Sequence, residues 1–322
     1  MCLPGSSDGV TLPLPRAGHT HNPVTVARLR GHVRACSYTE RMFKVGGPVR
    51  SRARLILQSY ARYRPVEVDR RLAAVAEIAR RADSSLYARA DLTASEFRVF
   101  SQNGEDGVIV EIFNRIGVTN RYFVEFGIQD GSEGNAVLLA DVFGWSGLFI
   151  EGDRELCERV RRKYSHGPVD VLGAVVTAEN INELFSASGV PAEPDLMSID
   201  IDGNDLYVWR ALECSRPRVV IIEYNSGILA EGPVVQPYAP DKAWDGSGAF
   251  GSTLAALDVV ASEKGYRLAH SDLSGVNAFY VRDDLWEALG VETAPRRAQN
   301  YGLTGLEQRP AAPPGGWERL SD

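Results

Sequence analysis

Long apolar runs are missing from this chain of 322 residues. None reaches the roughly 18 residues that a membrane-spanning helix needs, so no membrane span is expected. Also missing is a basic segment followed by an apolar one at the start, which reads Met-Cys-Leu-Pro-Gly-Ser-Ser-Asp, so a secretory signal is not expected. Cysteine is sparse. Cys2, Cys36, Cys157 and Cys214 are scattered without metal-ligand spacing, which argues against a zinc module or a disulfide framework and suits reduced thiols in a cytoplasm. No Gly-Lys-Ser/Thr occurs, which excludes a P-loop. Histidine is scarce too. His19, His21 and His32 fall in the first fifty residues, leaving His166 and His270 as candidate bases.

What is present is the composition of a globular protein, 44% hydrophobic and 24% charged with a mean hydropathy of −0.17. The length suits one large α/β domain with an extension. The net charge of −7 conceals an asymmetry. Residues 1–90 hold 16 Lys+Arg against 6 Asp+Glu, and the other 232 hold 19 against 36. A basic arm on an acidic body can bind nucleic acid or dock on an acidic protein face. The arm has no interleaved aromatic platforms and no nucleic-acid motif, which favours docking, with a homo-oligomer as one outcome.

Residues 1–48 show no sustained periodicity and are expected to be disordered. Over 49–94, apolar residues at helical spacing (Leu55, Ile56, Tyr60; Leu72, Val75, Ile78) predict a helical arm broken near Pro65. Residues 95–292 form the expected core, and 293–322 a loose tail rich in Pro and Gly. In the core, short apolar strands are expected at 122–126, 147–151, 169–173, 195–201 and 218–224. Helices are expected at 105–116, 132–143, 153–164, 179–187, 204–212 and 252–264, with a closing strand pair at 266–270 and 276–281. This alternation predicts a Rossmann-like, mostly parallel, doubly wound sheet of seven strands with a closing antiparallel hairpin.

The segment Tyr122-Phe123-Val124-Glu125-Phe126-Gly127-Ile128-Gln129-Asp130-Gly131 reads as a buried strand ending near an acid, then a glycine-bearing turn. Such a turn, leading to a helix N-terminus, makes a nucleotide-like site. Glu151, closing the next strand 24 positions past Gly127, suits the two hydroxyls of a ribose. A pyrophosphate-binding turn wants Gly-x-Gly-x-x-Gly, but Gln129 stands in place of the middle glycine and Glu125 would repel a pyrophosphate. The pattern suits S-adenosylmethionine, which has a ribose, a sulfonium and an ammonium and no phosphate. Gln102, Glu125, Gly127, Gly131 and Glu151 are the expected cofactor contacts, with Val176 beside the adenine and Val175 as its alternative; either valine can equally be core.

A second constellation gathers acids at the sheet's carboxyl edge. Asp200 and Asp202 end the fourth strand, and Glu223 and Asn225 end the fifth. Three readings stay open. Asp200, Asp202, Glu223 and Asn225 can be oxygen ligands of Mg²⁺. One carboxylate can be a general base in a metal-free site. Asn204 and Asp205 can be ordinary caps and turn formers. Asp200, Asp202 and His270 are the catalytic candidates. The loop 226–251, with Tyr238, Trp244 and Asp245, suits a polyhydroxylated acceptor.

Five blocks in order carry a resemblance to a known family: Ser101-Gln-Asn-Gly-Glu-Asp-Gly107, Phe123-Val-Glu-Phe-Gly127, Gly144-Trp-Ser-Gly-Leu-Phe-Ile-Glu-Gly-Asp153, Ser198-Ile-Asp-Ile-Asp-Gly-Asn-Asp205 and Val219-Val-Ile-Ile-Glu-Tyr-Asn225. From about 101 to 281 the chain resembles the FkbM-like class I methyltransferases. In the fourth block Asp202 stands where that family usually has Glu. The acid set also resembles that of macrocin-type sugar O-methyltransferases. The resemblance implies S-adenosylmethionine as cofactor and a hydroxyl of a sugar, glycan or secondary metabolite as acceptor. An NAD-dependent oxidoreductase and a non-catalytic scaffold are the alternatives.

Overall fold

The computed structural model describes residues 91–242, 244–298 and 311–320. The segment 1–48 and the arm expected over 49–94 lie outside the described residues up to Ala90. At the start of the described part, Leu92 is fully buried and Thr93–Ser95 makes one 3-10 turn.

Seven strands form one sheet: β1 (Tyr122–Phe126), β2 (Ser146–Glu151), β3 (Val169–Gly173), β4 (Leu196–Ile199), β5 (Val219–Glu223), β7 (Tyr266–Ser271) and β8 (Asn277–Arg282). The short strand β6 (Val234–Val235) lies outside it and pairs with β9 (Glu318–Arg319). The order across the sheet is β3-β2-β1-β4-β5-β8-β7. The first five strands are parallel, and β8 runs antiparallel to both neighbours. This is a Rossmann-like sheet with the class I methyltransferase strand order. The hairpin does not simply extend the edge, because β8 slots between β5 and β7.

Strand residues alternate between two cores because successive side chains point to opposite faces. Phe123, Phe149 and Ile221 pack with α1 (Glu105–Ile116), α2 (Val137–Asp141) and Val160 of α3 (Arg154–Lys163). Val124, Ile150 and Ile222 face Phe185 of α4 (Ile181–Ala187), Trp209 of α5 (Asp205–Ala211) and Leu257 of α6 (Leu254–Lys264). A last helical turn, α7 (Trp286–Leu289), buries Leu289 in the first core. Both faces are covered, which is why the strands read as unbroken apolar runs.

The amino end of the sheet is tied by a buried ion pair. Arg218 Nη1 lies 2.6 Å from Asp195 Oδ1 and also donates to the Gly117 carbonyl, while Nη2 donates to that of Ile116. Asp195 accepts backbone N–H bonds from Thr119, Asn120 and Arg121. Burial raises the Asp195 pKa, but Arg218 and Thr119 more than offset this and hold it below the ordinary carboxylate value.

The helix expected over 132–143 is confined to Val137–Asp141. The reason is local. Gly134 donates to the Phe100 carbonyl, and Asn135 and Ala136 donate to Glu125, so residues 132–136 are pulled onto the sheet edge instead of coiling. The tail, expected to be loose, contributes β9, whose pairing with β6 closes the base of loop 226–251.

Candidate active site

A cleft opens at the carboxyl ends of β1 and β4, where the strand order reverses. Gln102, Glu125, Gly127, Gln129, Asn135, Asp200 and Asn277 are among its walls. Among the described residues no Lys, Arg or His lines it.

The turn after β1 is held from both sides. Gly127 has φ +70°, and a β-carbon there would lie 1.9 Å from the Asp200 carbonyl oxygen. Gln129 takes the left-handed conformation, φ 55°, and donates its N–H to Glu151 Oε2 at 2.7 Å. Glu151 Oε1 accepts from Asp153 N–H. Glu151 therefore clamps the turn to the end of β2 and stands behind the cleft wall. Gly131 ends the turn by donating to Ile128, and its carbonyl accepts from Lys163; it does not line the cleft.

Glu125 does line the cleft, but both its oxygens are taken by backbone N–H groups: Oε1 by Asn135 at 2.7 Å and Oε2 by Ala136 at 2.9 Å. Glu125 thus caps the start of α2 while lining the cleft. Burial pushes its pKa up to about 7, against the pull of those two bonds, and Asp106 and Glu105 add to the rise. Asn135 carries the link onward, donating its side-chain N–H to Ser198 Oγ on β4.

Gln102 sits on the turn before α1, whose shape two acids impose. Asp106 Oδ2 accepts N–H bonds from Val99, Phe100 and Ser101. Glu105 accepts from Asn103, Gly104 and the Asn277 side chain. Both lay inside the Ser101–Gly107 block without a role assigned from sequence, and their adjacency to Gln102 was the available signal.

Ligand oxygens of Asp200, Asp202 and Glu223 lie within 4.8 Å of one another. Burial, followed by mutual repulsion and the fields of nearby acids, raises the pKa of Asp200 and Glu223 well above the ordinary carboxylate values. Asp205 shapes the turn beneath them by accepting from Ile201 and Gly203, and burial raises its pKa to about 6. Asn204 is likewise spent on structure, donating to the Ala239 carbonyl. Among the described residues no Lys, Arg or His pairs with Asp200, Asp202 or Glu223, and Glu223 Oε2 is buried without a partner. An all-oxygen donor set of this kind fits a hard divalent cation such as Mg²⁺.

Three expected site residues fall outside this arrangement. Asn225 spends its amide on the loop, with Nδ2 donating to Gly248 and Phe250 and Oδ1 accepting from Gly227. His270 is fully buried, its Nε2 2.8 Å from Glu96 and its ring against Phe279, so it does not reach the cleft. Val176 packs in the second core with Ile181 and Phe185, while Val175 is 60% exposed. In the long loop, Tyr238 stacks on Tyr207 at 4.9 Å and bonds Glu179 and Ala178, joining the loop to the turn after β3.

No family model and no curated protein matches the chain. Among solved structures it is similar to the citrinin polyketide synthase CMeT domain (TM-score 0.34, 11% identity), over 50% of this chain and 46% of that one. It is similar to Aeropyrum pernix fibrillarin in complex with natively bound S-adenosyl-L-methionine (0.34, 10%), over 51% of this chain and 67% of that one. It is also similar to the trans-methyltransferase CalH in complex with SAH (0.37, 10%), over 56% and 55%. The chain thus spans about half the length of the first and third of these.

Proposed function

We propose that this protein transfers a methyl group from S-adenosylmethionine to a hydroxyl of a sugar, glycan or secondary metabolite. The observation that carries the reading is the character of the cleft at the switch point: backbone from a glycine turn, amides and carboxylates, and no basic side chain in its walls. A pyrophosphate would be repelled there, whereas a phosphate-free cofactor bearing a sulfonium and an ammonium is attracted. The five sequence blocks resembling FkbM-like methyltransferases support the same reading.

In this reading Glu151 acts on the ribose side through the turn it clamps, holding Gln129 in place, and Gly127 lets the cofactor approach the backbone. Gln102 and Asn135 supply hydrogen bonds from the facing wall. The acceptor oxygen attacks the sulfonium methyl carbon in line. The O–C bond forms as the C–S bond breaks, S-adenosylhomocysteine leaves as a neutral thioether, and the hydroxyl proton passes to a carboxylate of the Asp200–Asp202–Glu223 group. A divalent cation held by those three carboxylates would lower the acceptor's pKa and orient it.

Calorimetric titration with S-adenosylhomocysteine tests the donor assignment, with NAD as the competing ligand. Binding of S-adenosylhomocysteine alone is expected. Binding of NAD with no response to S-adenosylhomocysteine would select the oxidoreductase, and binding of neither would leave a scaffold.

A further inference from the structure

Two buried oxygen atoms without hydrogen-bond partners belong to residues directly opposite each other across the antiparallel pair β5–β8. Glu223 and Asn277 are register partners, and Glu223 Oε2 and Asn277 Oδ1 both lack a hydrogen-bond partner. Residues directly opposite in such a pair share a face, with β-carbons about 4.5–5.5 Å apart. Asn277 is only 3% exposed, and it lines the cleft together with Asp200.

The orientation of the Asn277 amide follows from chemistry. Its NH₂ group donates to Glu105 Oε1 at 2.8 Å. Glu105 Oε2 also accepts the backbone N–H groups of Asn103 and Gly104, and Oε1 accepts from the Asn103 side chain, so both Glu105 oxygens act as acceptors here. The nitrogen must therefore face Glu105, and the oxygen is left pointing the other way. An oxygen held so, beside carboxylates that are themselves acceptors, lacks only a donor or a cation.

We infer that Asn277 Oδ1 completes the cation site of Asp200, Asp202 and Glu223, with Glu105 as the residue that positions it. The inference rests on the reading of those three carboxylates as ligands of a divalent cation. It assigns to Asn277 the place that the sequence pattern offered to Asn225, whose amide is consumed by the loop. The site then has four protein oxygens, from the turn after β4 and from β5 and β8, in keeping with an Mg²⁺-like ion that retains water or acceptor oxygens in its remaining positions.

The test uses the full chain, with Mn²⁺ alone as the paramagnetic probe and free Mn²⁺ read by electron paramagnetic resonance. S-adenosylhomocysteine binding is measured on the same samples, and folding is checked by circular dichroism. Wild type is expected to bind one Mn²⁺, Asn277→Ala to bind it at least tenfold more weakly, and Asn277→Asp to restore binding. Glu105→Gln, which loosens the amide without removing it, should weaken Mn²⁺ by about 10- to 100-fold, the usual cost of losing a group that orients a ligand. Should Asn277→Ala not fold, Glu105→Gln carries the comparison. Wild-type Mn²⁺ affinity in the folded variants overturns the inference. Wild type that binds S-adenosylhomocysteine but no Mn²⁺ removes the cation site and leaves the methyl-donor reading standing. Mn²⁺ binding weakened in the variants, with no S-adenosylhomocysteine bound by any of them, leaves Asn277 as a ligand and removes the donor reading.

Discussion

Gly127 and the carbonyl oxygen of Asp200 are in such close apposition that a side chain at 127 has nowhere to go: its first carbon would lie 1.9 Å from that oxygen. The contact joins the ends of β1 and β4, the two walls of the switch point. Gly127→Ala combines a left-handed conformation with a backbone clash, so a loss of about 2–5 kcal/mol is expected by denaturant titration. S-adenosylhomocysteine binding should vanish with it. A variant of unchanged stability would show that the turn yields freely.

Glu151 bridges Gln129 and Asp153 from the end of β2. Glu151→Ala should lower S-adenosylhomocysteine affinity by about tenfold or more, the loss of charge-assisted hydrogen bonds worth about 1.5–3 kcal/mol. Glu151→Gln should recover part of it. An unaltered dissociation constant in Glu151→Ala would remove this residue from the ribose site.

Glu125 makes stability depend on pH. Its folded pKa of about 7 stands above its ordinary value of 4.5, so between these values the folded protein holds a proton that the unfolded chain has released. Unfolding free energy should therefore fall as pH rises through that window and level off above it. The contribution is about 3 kcal/mol. Glu125→Gln, which cannot ionise, should flatten the slope. Chemical denaturation at pH 5, 6, 7 and 8 measures it, and an equal slope in both proteins would assign the dependence to other acids.

Arg218 and Asp195 are both buried and lie far from the cleft, at the opposite end of the strands. Arg218→Met strands a buried carboxylate, and a loss of about 3–5 kcal/mol is expected, with S-adenosylhomocysteine affinity retained in the folded fraction. Thermal unfolding with and without the ligand separates the two effects.

The strands were legible because burial on both faces writes itself as short runs of Val, Ile, Leu and Phe, and 122–126 and 169–173 match residue for residue. The acids after β4 and at the end of β5 were legible as a group because two strands end side by side there; the two-residue spacing was not the reason, since β4 ends at Ile199 and Asp202 takes the left-handed conformation. What sequence could not give was the lateral order of the last two strands. With β8 inserted next to β5, Asn277 arrives opposite Glu223, while His270 is carried one strand further out and spent on Glu96. Glu125 carries a capping role that the sequence did not show. An acid at the end of β1 looks the same whether it faces a ligand or caps a helix, and only the path of residues 132–136 distinguishes the two.

The insertion of β8 also sets an order of events. Strands β1 to β5 are complete by residue 223, yet the outer edge of β5 stays unpaired until a strand some fifty residues later in the chain reaches it. That pairing spans more sequence than the β4–β5 pairing beside it, has to await synthesis of the hairpin and pays the greater closure entropy of the two. Asn277 travels with it. A nascent or truncated chain ending before the hairpin therefore has its turn, its glycine and most of its carboxylates, but leaves Glu223 facing solvent along a bare strand edge. Chemical competence arrives only with the hairpin.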